Sequence, residues 1–188
     1  MKVIITGTTG MVGEGVLLEC LANAEITEVL SVSRKPIGIK HRKLKEYIVA
    51  DFLLLQKNDE MLKGYDACFF CAGISSIGMK EPEFTRITYD TTITFAKALS
   101  PLPQMTFIYV SGAGTDSSEK GRSMWARVKG KSENDLMKLP FKQVFAFRIL
   151  VAMPSGLPNY HRGLFCCRCR FLHLSPCHCQ NHSCVPVP

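Results

Sequence analysis

The stretch that decides the fold is Met1 to Leu21, MKVIITGTTGMVGEGVLLECL. A short β-branched run, Val3 to Ile5, leads straight into Gly7, Gly10 and Gly13, and then into a segment where Val12, Val16 and Cys20 recur at the four-residue step of a helix. The reading is strand, tight turn, helix. The three glycines serve different ends. Gly7 permits the turn, Gly10 leaves room for a pyrophosphate to approach the backbone, and Gly13 lets the helix sit close to the sheet. With Thr9 in the turn, the free N–H groups of Met11, Val12 and Gly13 would open the helix, where the macrodipole favours an anion. The triplet gains its meaning from context, because it follows a strand and opens a helix, as dinucleotide binding requires.

Working outward, five more strands can be read. They are Glu28 to Ser33, Glu46 to Ala50, Tyr65 to Cys71, Met105 to Val110 and Phe141 to Ile149. Asn58 to Lys63 reads as a short helical link. A helix opens at Pro82 and runs to about Leu99, with Phe84, Ile87 and Ala98 on its inner face, and Pro101 and Pro103 end it. Strands alternating with helical segments predict an α/β fold, a Rossmann-type doubly wound parallel sheet whose ligands lie beyond the carboxyl ends of the strands. The near-continuous apolar run YDACFFC suits a strand covered on both faces.

The strand ends carry the specificity. After the second strand come Ser33, Arg34 and Lys35 with no carboxylate, so the adenosine ribose would meet cations that pair with the extra phosphate of NADP. NADP is therefore expected, with NAD as the alternative; as isolated residues, Arg34 and Lys35 would be ordinary solvated side chains. The fourth strand ends at Cys71, and the small Ala72 and Gly73 would let the cofactor come close.

The spacing TGxxGxxG, led by Thr6, resembles the short-chain dehydrogenase/reductase superfamily, in its extended and atypical branches. The segment Ser111 to Leu139 is similar to an epimerase-like atypical branch related to the human Tat-interacting oxidoreductase-like protein. The resemblance covers residues 1–148. It implies that Asp51 and Phe52, at the end of the third strand, flank the adenine ring; read alone they form a strand-end turn. It also implies a catalytic Ser after the fifth strand and a YxxxK pair on the next helix, with the Lys holding the nicotinamide ribose and lowering the Tyr pKa. Ser111 and Lys129 match, but Trp125 stands where the Tyr is expected, and an indole N–H donates without ionising. Ser123 and Arg127 are no ready substitutes. Read without the family, Ser111 is a cap, Lys129 a solvated helix lysine and Trp125 a core anchor. Two functions follow: an NADP-dependent oxidoreductase or epimerase working through Ser111 and Lys129 on an unknown small molecule, or a non-catalytic NADP-binding, redox-sensing module.

Composition sets the outer limits. The chain has 188 residues, 46% hydrophobic and 21% charged, and reads as a globular protein. It shows neither a membrane-span pattern nor a signal-peptide layout, so the cytoplasm is the default location. Residues 1–150 hold 20 of the 23 Lys and Arg and all 16 acidic residues, a mildly basic body that suits a phosphorylated cofactor and makes no case for nucleic acid. Oligomeric state is open. Cys20, Cys68 and Cys71 read as buried small hydrophobes.

The division expected is an NAD(P)-binding domain over 1–150 and a Cys/His-rich, poorly ordered tail over 151–188. From His161 to Pro188 the tail holds six Cys and four His with no Lys and no acidic residue. A zinc site from Cys166, Cys169, Cys177, His178, Cys179, His182 and Cys184 has fitting ligand types but poor knuckle spacing. A disulfide cluster would need an oxidising compartment, and Cys184 is one residue too early for prenylation. The remaining reading is a frame-shifted or truncated end, in which case the family's substrate-binding part is missing.

Overall fold

The computed structural model describes residues 1–57, 59–99 and 103–149, together with the backbone of two short strands near the end of the chain. The chain divides into two units, Met1–Val151 and Ala152–Pro188.

In the first unit, β1 (Lys2–Thr6) runs into α1 (Met11–Ala22), as the opening stretch dictates. The helix buries Gly13, Leu17, Cys20 and Leu21, so its inner stripe lies one step round from the expected one, with Val12 and Val16 half-buried at its margin. Complete burial of Leu17 contributes about 2 kcal/mol. The helix stops at Asn23, and the Lys43 ammonium donates to the Leu21 and Asn23 carbonyls at 3.1 and 2.6 Å, satisfying groups the helix leaves open.

The strands β2 (Glu28–Ser33), β3 (Leu44–Ile48), β4 (Ala67–Phe70), β5 (Thr106–Gly112) and β6 (Gln143–Ile149) complete a six-stranded sheet in the order β3-β2-β1-β4-β5-β6. Every neighbouring pair is parallel. This is the Rossmann order, and its reversal point lies between β1 and β4. β3 begins two residues earlier than the pattern suggests. As an edge strand it is only half-buried, and the Asp51 carboxylate caps a tight turn, Phe52–Leu54, by accepting from the Leu53 N–H at 2.9 Å. The helical link before β4 is a single turn, Glu60–Leu62.

The long helix expected after Pro82 is broken in the middle. It forms α2 (Glu81–Thr85), a π-type turn over Arg86–Asp90, and α3 (Thr91–Leu99). The extra residue in the π-turn shifts the inner face, so Phe84, Thr88, Thr92 and Phe95 point inward while Ile87 turns outward and is 41% exposed. Ile87 is thus not on the inner face where the sequence placed it. α4 (Met124–Leu136) closes the same side.

The core has two parts, one on each face of the sheet. Beneath α1, Leu17, Cys20 and Leu21 pack on Val3, Ile5, Val29 and Phe69. On the other face the rings of Phe52, Phe95, Phe70 and Phe107 follow one another at 5.1, 5.4 and 6.0 Å between centroids. Burial raises the thiols of Cys20 and Cys71 to about 12, and that of Cys68 well above its ordinary value, so all three behave as small apolar groups.

In the second unit β7 (Cys177–Gln180) and β8 (Ser183–Pro186) pair antiparallel. The zinc, disulfide and frame-shift readings of the tail fall on side chains outside the described residues. Among the described residues no group of three or more His, Cys, Asp or Glu could hold a metal, and no helix is long and apolar enough to cross a membrane.

Candidate functional site

A cleft of about 550 Å³ opens at the carboxyl ends of β1, β2, β3 and β4. Its floor is the glycine corner. Gly7 sits at φ +68°, where a Cβ would lie 2.7 Å from the Ala72 nitrogen, so the first turn and the loop after β4 touch backbone to backbone. The same contact is fastened by the Ala72 N–H donating to Thr6 Oγ1 at 3.2 Å. A Cβ on Gly13 would strike the Gly7 carbonyl oxygen at 2.1 Å, which shows that this glycine seats the helix on the turn. A Cβ on Gly10 would meet only that oxygen, at 3.4 Å, and its other side is open.

No side chain caps the start of α1, and the first backbone bond into the helix is Glu14 N–H to Gly10 O at 2.8 Å. The N–H groups of Met11, Val12 and Gly13 therefore keep their positive ends without an internal partner. Gly7, Thr9 and Gly10 line the cleft; Met11, Val12 and Gly13 supply the helix start behind it.

The walls come from the other strand ends. Arg34 lines the cleft, is exposed and has no ion pair among the described residues; Lys35 is exposed but is not part of the wall. Asp51 and Phe52 both line the cleft, Asp51 with one carboxylate oxygen held by Leu53 and Phe52 packed on Phe95. Cys71, Ala72 and Gly73 form the opposite lip. Among the lining residues that escaped the sequence reading are four from the segment Glu81–Leu99, namely Glu83, Arg86, Ile87 and Thr91. No sequence signal marks them, because the π-turn that swings Ile87 out of the core leaves no trace in the residue spacing. The uncapped amides, the open side of Gly10 and the partnerless Arg34 together fit a phosphorylated dinucleotide.

Ser111 and Lys129 lie elsewhere; neither lines this cleft. Ser111, at the end of β5, is 2% exposed, and its hydroxyl donates to Glu133 Oε1 at 2.5 Å. Arg148, at the end of β6, donates to the same carboxylate through Nε at 3.1 and 3.2 Å and through Nη2 at 2.6 Å. Glu133 and its pairing with Arg148 were not foreseen, because residues on α4 and β6 meet only once the sheet is assembled. Lys129, one helical turn before Glu133, is half-buried and makes no hydrogen bond or ion pair among the described residues. Burial lowers its pKa, partly offset by the Glu133 charge.

Trp125 lies against the turn after β5. A Cβ at Gly112 would come within 3.2 Å of its Cζ3 and one at Gly114 within 3.0 Å of its Cη2, so the two glycines make the seat for the ring. Arg127 then ties the start of α4 to Glu81 of α2 at 2.6 Å and to the Gly121 carbonyl at 2.7 Å. The phenol nearest in the chain, Tyr109, is 2% exposed and its pKa is pushed up to about 12 by burial, so it offers no replacement acid.

No family model matches the chain. Among curated proteins it is 26% identical over 152 residues to the mitochondrial protein FMP52 of Debaryomyces hansenii, covering 79% of this chain and 65% of that protein. The FMP52 protein of Meyerozyma guilliermondii is 27% identical, with 79% and 63% covered, and FMP52-2 of Scheffersomyces stipitis is 29% identical, with 77% and 63% covered. The chain spans under two thirds of the length of these relatives. All three are named mitochondrial, which overturns the cytoplasmic default, an expectation that rested only on the lack of a targeting pattern.

Among solved structures, the glucuronic acid dehydrogenase of Chromohalobacter salexigens aligns with a TM-score of 0.66 at 15% identity, covering 81% of this chain and 62% of that one. MoeE5 in complex with UDP-glucose and NAD aligns at 0.64 and 20% identity, covering 79% and 54%. The UDP-glucuronic acid 4-epimerase of Bacillus cereus, in complex with NAD, aligns at 0.61 and 17%, covering 79% and 55%. At these identities the likeness is one of fold. Strand order, glycine corner and solved structures agree on one fold, the Rossmann-type doubly wound parallel sheet that the sequence predicts.

Proposed function

We propose that the chain binds NADP in the cleft at the carboxyl rim, as the nucleotide-binding part of an atypical, epimerase-like oxidoreductase that acts on a small molecule in the mitochondrion. The observation that carries this reading is the uncapped start of α1 opening onto a cleft whose second-strand wall presents Arg34 without a partner. The diphosphate would lie on the amides of Met11, Val12 and Gly13, the adenine beside Asp51 and Phe52, and the ribose phosphate against Arg34 with Lys35 close behind. Cys71, Ala72 and Gly73 would border the rest of the dinucleotide, and Lys129 would hold the nicotinamide ribose. When bound, the cofactor supplies or accepts a hydride.

The experiment is a fluorescence titration with NADPH and with NADH. NADPH is expected to bind more tightly, and Arg34→Ala to weaken it roughly ten- to hundredfold while leaving NADH unchanged, the scale of a lost charge-assisted hydrogen bond. Equal affinities in the unaltered protein would remove the phosphate argument.

A second reading, binding without turnover as a regulatory or redox-sensing module, is favoured by the other end of the sheet. A carbonyl receiving a hydride needs a proton donor, Trp125 cannot ionise, and the Ser111 proton is already committed to Glu133. Lys129 is the one remaining donor of the family's set. The two readings separate in a single-turnover measurement, in which the absorbance of bound NADPH is followed after adding small aldehyde and quinone probes. Loss of the reduced-nicotinamide band that disappears in Lys129→Met supports the oxidoreductase; an unchanged band with every probe supports the binding module.

A further inference from the structure

From the end of β2 into the start of β3 the chain carries RKPIGIKHRKLK, residues 34–45. Six of the twenty Lys and Arg of residues 1–150 fall in these twelve positions, and none of the sixteen carboxylates does. The rest of that body carries a slight negative excess, so its basic character is concentrated in this one strap. Two of the six cations are committed. Lys43 closes the end of α1, and Lys45 pairs with Glu28 at 2.9 Å. The other four, Arg34, Lys35, Lys40 and Arg42, are exposed and meet no carboxylate among the described residues, a set that contains every Asp and Glu of the chain.

The strap is held in place. Ile37 and Ile39 pack against the core cluster beneath α1, the Ile37 N–H donates to Glu46 Oε1 at 2.8 Å, and Gly38 turns the chain between them at φ +73°. Lys43 anchors the far end. The strap is therefore held at Ile37, Ile39 and Lys43, while Arg34, Lys35, Lys40 and Arg42 are exposed.

We propose that this strap docks the protein on an anionic phospholipid surface through Arg34, Lys35, Lys40 and Arg42. A protein partner would need an apolar anchor, and the two isoleucines that could provide one are turned into the core. A nucleic acid would want aromatic platforms or a helix for a groove, and residues 34–45 contain no Phe, Tyr or Trp and no helix. A layer of phosphate headgroups requires only clustered positive charge within a Debye length. Each Lys or Arg near such a surface strengthens partitioning roughly fivefold, so four together give on the order of several hundredfold. The proposal is separate from the NADP reading except at Arg34 and Lys35, which both use, and the test avoids those two residues.

The full chain is sedimented with vesicles of phosphatidylcholine alone or with about one third phosphatidylglycerol, at low salt and at roughly 0.5 M salt. Binding is expected only to the anionic vesicles, with release by salt. Lys40→Glu combined with Arg42→Glu is expected to lower it at least about 25-fold, two cations' share, while NADPH titration and melting temperature stay unchanged. Equal binding to both vesicle types, or full binding by the double variant, overturns the proposal. Displacement by inorganic phosphate at the same phosphate concentration would assign the strap to a small anion, and tighter binding to a random RNA than to vesicles would assign it to nucleic acid; either result overturns it too.

Discussion

Gly10→Ala is expected to abolish NADPH binding and leave the fold standing, whereas Gly13→Ala is expected to remove both. The two glycines are three residues apart in the same corner, yet they meet different surroundings. A methyl group at Gly10 finds only the Gly7 carbonyl at 3.4 Å and otherwise projects to the side where a diphosphate would approach. Its backbone, at φ −101° and ψ 158°, is one any residue adopts. The cost to folding is confined to a poorer helix cap, about 1 kcal/mol. A methyl group at Gly13 would lie 2.1 Å from the Gly7 carbonyl oxygen and 2.9 Å from the Thr8 nitrogen, and both are backbone atoms that cannot step aside. The helix must lift off the turn, at a cost of about 3 kcal/mol or more. Thermal melts beside NADPH titrations read both effects. NADPH affinity kept in Gly10→Ala would mean that nothing approaches the backbone there.

Arg148→Met is expected to destabilise the protein by about 3 kcal/mol, a fall in melting temperature of roughly 10 °C for a domain of this size. The reason is the burial of its partner. The Glu133 side chain is 3% exposed and Arg148 38%, so deleting the guanidinium leaves a carboxylate in the interior with the Ser111 hydroxyl as its remaining hydrogen-bond partner among the described residues. The charge of Glu133 also holds the Arg148 pKa above its ordinary value, as expected of a tight pair. Adding Glu133→Leu to Arg148→Met removes the orphaned charge and is expected to recover much of the loss, because replacing both members of a buried pair costs far less than breaking it. A single variant that melts within a degree or two of the unaltered protein would show that Glu133 is not held by Arg148.

This buried trio also changes what the β5 end can do. A serine at that place in the family is expected to offer its proton to a substrate oxygen. Here the proton points into Glu133, so Ser111 Oγ is left as an acceptor, and Lys129, one helical turn before Glu133 on α4, is the group able to donate. The two rims of the sheet thus differ. At β1 the start of α1 is left uncapped, while at β5 the Ser111 hydroxyl is closed into a buried network with Glu133 and Arg148.

Much of this was legible in the residues because the deciding interactions are local. Gly7, Gly10 and Gly13 sit within one turn and helix start, and β2 is read at its true bounds because Val29, Leu30 and Val32 give way at once to Arg34, Lys35 and Pro36. The π-turn at Arg86–Asp90 leaves no mark in the residue spacing, so the three-residue helical step from Phe84 carried Ile87 inward when the π-turn had rotated it out. The partner of Ser111 could not be read, because Glu133 and Arg148 are 22 and 37 residues further on and meet it only across a finished sheet. The strap at 34–45 was hidden by averaging, since the charge of the whole body is mild and only its placement is not.

The most direct test of the account is the amide NMR spectrum of the protein as NADPH is added. The amides of Met11, Val12 and Gly13 are predicted to shift most, in the direction of stronger hydrogen bonding, and to remain in place when NADPH is added to Gly10→Ala. Shifts confined to other parts of the chain, with those three amides unmoved in the unaltered protein, would contradict it.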